Sequence, residues 1–153
     1  MAIDDDAAEA QARGWRRLAA LQARIENRIG AALEADHDLS VSEFTVLDVL
    51  GRQDDWHMRM QQLANAVVLS QSATTRLVTR LEGRGLLARY LCDTDRRGIY
   101  SEVTPAGRTL LEAARRTHDR ALADALEEAA DSPELQPLVR VVRAMEETPL
   151  AGV

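Results

Sequence analysis

The chain has 153 residues, 46% hydrophobic and 29% charged, a composition that supports one globular domain with its own core and excludes a disordered segment. Aromatic residues make up only 3%, too few for a stacking platform on single-stranded nucleic acid, and the net charge of −6 at first sight opposes any nucleic-acid role. The acidic start Asp4-Asp5-Asp6 is unlike a signal peptide, no apolar run approaches the ~20 residues of a membrane span, and a lone cysteine, Cys92, excludes an internal disulfide and a thiolate metal site; a cytoplasmic location is expected.

From Gly14 to Ala35 the apolar positions Trp15, Leu18, Leu21, Ile25, Ile29 and Leu33 recur at helical spacing, which predicts one long amphipathic helix. Ser40-Val41-Ser42-Glu43 reads as a capping box, with Ser40 as the cap and Glu43 reaching back to it, opening a short helix that turns Phe44, Leu47 and Leu50 inward. A loop over residues 51–57 follows. Met60 to Val67 gives another short helix with Leu63, Ala64 and Val67 inward, and only a short turn separates it from the next.

That next helix, capped by Ser70, is the most informative stretch of the chain. At about 100° per residue, Ala73, Leu77, Val78 and Leu81 share one side and Ser72, Thr75, Arg76 and Thr79 the other. The outward side carries hydroxyls and arginines with no carboxylate before Glu82, which suits base edges and phosphates of a major groove. Thr74 falls on the packing side. The Ser70 cap leaves the helix's unbonded N–H groups and positive dipole end toward such a groove, and Gly85 is the expected stop.

Leu87 to Leu91 and Ile99 to Val103 read as strands flanking the polar turn Asp93-Thr94-Asp95-Arg96-Arg97-Gly98, a β-hairpin wing. Thr104-Pro105 opens the following helix as cap and first helical residue, and Leu110, Leu111, Ala114, Leu122, Ala125 and Leu126 carry it to about Ala130. Ser132-Pro133 repeats the start signal for a last helix expected to reach about Glu147, with Leu135, Leu138, Val139, Val142 and Met145 as its stripe. The fold class is therefore mainly α with a small β-hairpin wing.

Charge follows the same division. Between Met58 and Leu110 eight arginines face four carboxylates, a balance of +4, so the rest of the chain carries −10. A basic reading segment between acidic helices resolves the apparent conflict with DNA binding. All 19 basic residues are arginine, the side chain suited to bidentate contact with guanine or phosphate. The terminal helices carry more apolar stripe than one small winged-helix core can cover, so pairing with a second copy is expected. A two-fold dimer would place two reading helices in successive major grooves and require a pseudo-palindromic operator.

Three segments carry a resemblance: Leu39-Ser40-Val41-Ser42-Glu43-Phe44, the run from Leu69-Ser70 to Arg84-Gly85-Leu86, and Asp95-Arg96-Arg97 followed by Thr104-Pro105-Ala106-Gly107. Together with the order of elements they resemble MarR-type (multiple-antibiotic-resistance) transcriptional regulators over nearly the whole chain. The resemblance implies a winged helix-turn-helix over residues 37–108, flanked by dimerisation helices in residues 1–36 and 109–153. By position it makes Ser70, Gln71, Ser72, Thr75, Arg76 and Arg80 contacts to bases or phosphates of double-stranded DNA. Arg97 becomes the minor-groove reader at the wing tip, Asp95 the carboxylate that holds it, and Arg96 a phosphate contact. It further implies a homodimer, most often a repressor, released by a small aromatic or phenolic ligand whose binding residues the sequence does not mark.

Other chemistries find less support. A redox-responsive regulator would use Cys92, but the thiol sits at the end of a wing strand without a resolving cysteine. His37, His57 and His118 each lie beside aspartates, yet no pair has the spacing of a helical metal site, and no catalytic triad, paired carboxylates or phosphate-cradling glycine loop is present; neither cofactor nor catalysis is expected. A winged helix reduced to protein interaction would show apolar or acidic residues where Ser72, Thr75, Arg76 and Arg80 stand.

Overall fold

The computed structural model describes residues 5–145, apart from the side chains of residues 95–97. Along them run α1 (Asp5–His37), α2 (Val41–Gly51), β1 (His57–Arg59), α3 (Met60–Ala66), α4 (Gln71–Gly83), β2 (Leu87–Cys92), β3 (Asp95–Val103), α5 (Pro105–Ala130) and α6 (Gln136–Ala144). The mainly helical class with a small sheet is as the sequence implied, but the sheet has three strands in the order β1-β3-β2, all antiparallel. β1 is absent from the sequence reading because three residues cannot display an alternation; its pairing with β3 is set by the fold around it. The wing turn is also tighter than expected, since β3 already begins at Asp95 and the register breaks between Leu91, opposite Ile99, and Cys92, opposite Asp95.

Local chemistry explains the helix ends. Ser40 Oγ accepts the Glu43 amide at 3.1 Å and Ser70 Oγ accepts the Ala73 amide at 3.2 Å, so α2 and α4 each have a side-chain cap. Thr104 Oγ1 does the same for Gly107 at 3.0 Å and donates to the Gly85 carbonyl, tying the start of α5 to the end of α4. α4 ends in a paired motif: Leu86 N–H donates to the Leu81 carbonyl at 3.0 Å and Gly85 N–H to the Glu82 carbonyl at 2.9 Å, with Gly85 at φ +73°. Gly107 is needed for a different reason, because a Cβ there would run into the Leu86 carbonyl oxygen.

The same ending closes α3, where Leu69 N–H reaches the Ala64 carbonyl and Val68 N–H the Asn65 carbonyl. Here the left-handed position is held by Val68 at φ +56°, and its side chain is 87% exposed. A β-branched residue in this region is strained, so the turn joining α3 to α4 is fixed by the packing on either side of it.

Two helix limits differ from expectation. α1 begins at Asp5, with Asp5 and Asp6 in its first turn, where carboxylates favour the positive helix end. The last helix begins at Gln136, not at Pro133: the Ser132 carbonyl accepts the amides of Leu135 and Gln136 at 3.1 and 2.9 Å, making a separate turn first. Its expected end near Glu147 lies outside the described residues.

The chain divides into two compact units, one spanning Gly30–Asp119 and the other formed by the residues up to Ile29 and from Arg120 onward. The first buries Leu33, Leu39, Phe44, Leu47, Leu50, Leu63, Val78, Leu81, Leu87 and Leu111. The second has a smaller core of Leu21, Leu126, Ala129, Leu135 and Val139, with Ile25, Leu122, Leu138 and Val142 half-buried against it, and Arg28 bridges Glu128 at 2.8 Å and Asp124 at 3.6 Å. Trp15, Leu18, Val141 and Met145 of this unit stay exposed.

Candidate nucleic-acid interface

Packing of α4 follows the helical count. Thr74, Val78 and Leu81 are fully buried, and Thr74 can be buried because its hydroxyl donates to the Ser70 carbonyl at 2.9 Å. Ala73 and Leu77, expected in the core, are only half-buried; they lie in a groove shared with Ser42, Leu69, Arg76 and Arg80. The packing side is therefore narrower than the sequence count implied.

Ser70, Gln71, Ser72, Thr75, Arg76 and Arg80 are all exposed. Ser70 works as the cap, and its Oγ lies 3.2 Å from that of Ser72. Thr75 and Thr79 donate their hydroxyl hydrogens to the carbonyls of Gln71 and Thr75, each at 2.8 Å, which leaves their oxygens as acceptors, that of Thr79 already taken by Arg89 at 3.3 Å. Such a surface matches thymine methyls and exocyclic amino groups. Arg76 makes no hydrogen bond or ion pair among the described residues, whereas Arg80 donates to Glu43 Oε1 at 3.3 Å while its side chain stays 66% exposed.

Glu43 departs from its expected role. Its amide is capped by Ser40, but its carboxylate does not reach back; it is buried, 4% exposed, and meets Arg80 and, through Oε2 at 3.7 Å, Arg84. That Oε2 has no hydrogen-bond partner, so the two arginines supply its compensation by charge. Arg84 in turn donates to the carbonyls of Asp38 at 2.6 Å and His37 at 3.1 Å, the acceptors left over at the end of α1. Arg84 thus fixes α4 instead of presenting charge.

A second brace joins α4 to the wing. Arg89 on β2 donates to both oxygens of Glu82, at 3.1 and 3.0 Å, and to Thr79 Oγ1 at 3.3 Å, while its amide reaches Glu82 Oε2 at 3.2 Å. The Arg89 side chain holds the Glu82 carboxyl below the usual carboxylate range, and Glu82 raises Arg89 in return. Next to it, Tyr90 and Tyr100 stack at 5.8 Å, His57 meets Tyr100 edge-on at 5.3 Å, and Tyr90 Oη lies 2.9 Å from His57 Nδ1. Burial and the neighbouring Glu102 push the Tyr90 phenol up.

The backbone of Asp95, Arg96 and Arg97 opens β3, but their side chains lie outside the described residues. Cys92 is half-buried with Sγ 3.1 Å from Thr94 Oγ1. His37 Nε2 contacts Thr117 Oγ1 at 2.8 Å and His118 stacks on Phe44 at 4.6 Å; among the described residues no three His, Cys, Asp or Glu side chains are grouped to hold a metal. No helix among them is long and apolar enough to cross a membrane.

Residues 37–98 match the family model described as "MarR family". The HTH-type transcriptional regulator MhqR of Bacillus subtilis (strain 168) is 35% identical over 75 residues, which cover 49% of this chain and 50% of that protein. The MarR-family match thus spans residues 37–98. The chain matches about half the length of this curated relative. The MarR family regulator Sco3205 from Streptomyces coelicolor, solved in complex with DNA, superposes with a TM-score of 0.74 at 23% identity, covering 98% of this chain and 92% of that one. CouR from Rhodococcus jostii RHA1, bound to p-coumaroyl-CoA, superposes with a TM-score of 0.67 at 25% identity, covering 89% and 92%. The helices with a small three-stranded antiparallel sheet match the MarR winged-helix fold.

Proposed function

We propose that this MarR-family chain is a homodimeric, sequence-specific regulator of transcription that reads double-stranded DNA through α4. The observation that carries the proposal is the outward face of that helix: Gln71, Ser72, Thr75, Arg76 and Arg80 are exposed, include no carboxylate, and stand on a helix braced at its end by Arg84 and toward the wing by Glu82 and Arg89. Exposed Trp15, Leu18, Val141 and Met145 support pairing of two copies through the terminal helices, since apolar side chains of this size gain by leaving water. Two copies would read a pseudo-palindromic operator with half-sites one helical turn apart.

The mode of action proposed is repression, relieved when a small aromatic or phenolic ligand favours a dimer whose reading helices are wrongly spaced. The neighbour bound to p-coumaroyl-CoA supports an effector of this chemistry; no residue of this chain is assigned to it. A mobility-shift series on the upstream region of the chain's own gene tests the reading. A specific shift at modest salt is expected; its absence on that and on selected duplexes would count against the proposal.

A further inference from the structure

We propose that Glu43 makes Arg80 a reader of a base edge and not a phosphate contact, by holding the guanidinium from behind with a buried carboxylate. The inference rests on the DNA-reading proposal above and gives α2 a part in specificity that the exposed face of α4 does not supply alone.

The pair is built to stay together. Glu43 lies in the first turn of α2 and is 4% exposed, while the Arg80 side chain, in the last turn of α4, is 66% exposed. Arg80 Nη1 donates to Glu43 Oε1 at 3.3 Å, and among the described residues this is the one hydrogen bond the carboxylate receives. Arg84, 3.7 Å from Oε2, adds charge but no hydrogen bond, because its Nη1 and Nη2 are turned to the carbonyls of Asp38 and His37. Drawing Arg80 away would leave a buried carboxylate with no hydrogen bond at all, a cost set against any DNA contact that needs Arg80 to leave.

Holding Arg80 in this way changes what it can recognise. The guanidinium is planar and rigid, so tying one N–H to Glu43 fixes the directions of those left in water. Guanine O6 and N7 lie side by side on the base edge and reward donors that arrive already aimed. A long side chain ordered before DNA arrives also loses less entropy on binding. Charge acts the same way. A phosphate is drawn by the full charge of a cation, whereas a base-edge acceptor is neutral and responds mainly to the geometry of the N–H. A carboxylate directly behind the guanidinium cancels much of the first attraction and less of the second. Arg76 is the internal comparison, one turn earlier on α4, exposed, and without a hydrogen bond or ion pair among the described residues.

Fluorescence anisotropy with two labelled duplexes, one selected from a random pool by the wild-type protein and one unselected, measured over a series of salt concentrations, tests the inference. Arg80→Ala should weaken the selected duplex about tenfold or more and the unselected one far less, with the slope of log affinity against log salt unchanged. Glu43→Gln keeps the shape of the side chain and removes its charge. It should tighten the unselected duplex, steepen its slope by up to about 1.8 for a dimer, and narrow the ratio between the two duplexes. In the Glu43→Gln background Arg80→Ala should return the slope to the wild-type value, whereas Arg76→Ala should act by the same factor in both backgrounds. If Arg80→Ala weakens both duplexes alike and flattens the slope, or Glu43→Gln moves neither slope nor ratio, the inference is overturned while the reading role of α4 stands. A folded wild type that enriches no duplex from the pool overturns the DNA-reading proposal and this inference with it. Thermal melts separate a folding defect from these results, and Arg80→Ala, at an exposed site, decides the matter by itself should Glu43→Gln not fold.

Discussion

The two compact units solve opposite surface problems. In the unit spanning Gly30–Asp119 Val78 and Leu81 of α4 are packed inward and the arginines are sorted: Arg84 and Arg89 are spent on internal braces, while Arg76 and most of Arg80 face outward. In the terminal unit the core is small and the exposed side chains include Trp15, Leu18, Val141 and Met145. Under the proposed function the first surface would read base edges and the second would meet a second copy, so that each task would have its own kind of exposed residue.

The contrast can be broken by substitutions, beginning with the largest expected effect. Leu81→Ala empties a fully buried site beneath the reading helix and should cost about 2–5 kcal/mol of stability in a denaturant melt. Leu18→Glu, on an exposed site, should leave the fold intact but weaken self-association by about 2 kcal/mol or more, read by sedimentation equilibrium. A monomer–dimer constant that does not move would remove Leu18 from the assembly surface. Arg76→Ala should cost about 1–3 kcal/mol of binding to a selected duplex with little change in melting, because the exposed side chain makes no hydrogen bond or ion pair among the described residues.

The smallest effect sharpens the comparison by pH. Glu82→Gln should lower stability by at most about 1 kcal/mol, since the pair with Arg89 is partly exposed. The folded Glu82 carboxyl titrates lower than in the unfolded chain, so its contribution is complete above the ordinary carboxylate range and disappears as pH falls through the lowered folded value. The difference between wild type and variant should therefore be full at neutral pH and vanish in acid.

Much of this was legible in the sequence because it is local. The exposed positions of α4 follow from helical spacing, its ends from Ser70 and Gly85, and the start of α5 from Thr104-Pro105. What escaped is set by residues distant along the chain. Glu43 reads as half of a capping box, yet meets Arg80, 37 residues on. Arg59 and Tyr100 are 41 residues apart, and β1 itself exists only through β3. The spacing of Ala73 and Leu77 predicts core because periodicity marks an apolar side, not how far its neighbours cover it.

The central claim, that two copies read DNA through α4, is tested most directly by selecting duplexes from a random-sequence pool with the wild-type protein. The account predicts enrichment of two-fold related half-sites with centres about 10 base pairs apart, and loss of that enrichment with Arg76→Ala. Selection of no common sequence, or the same sequence selected equally well by the Arg76→Ala protein, would contradict it.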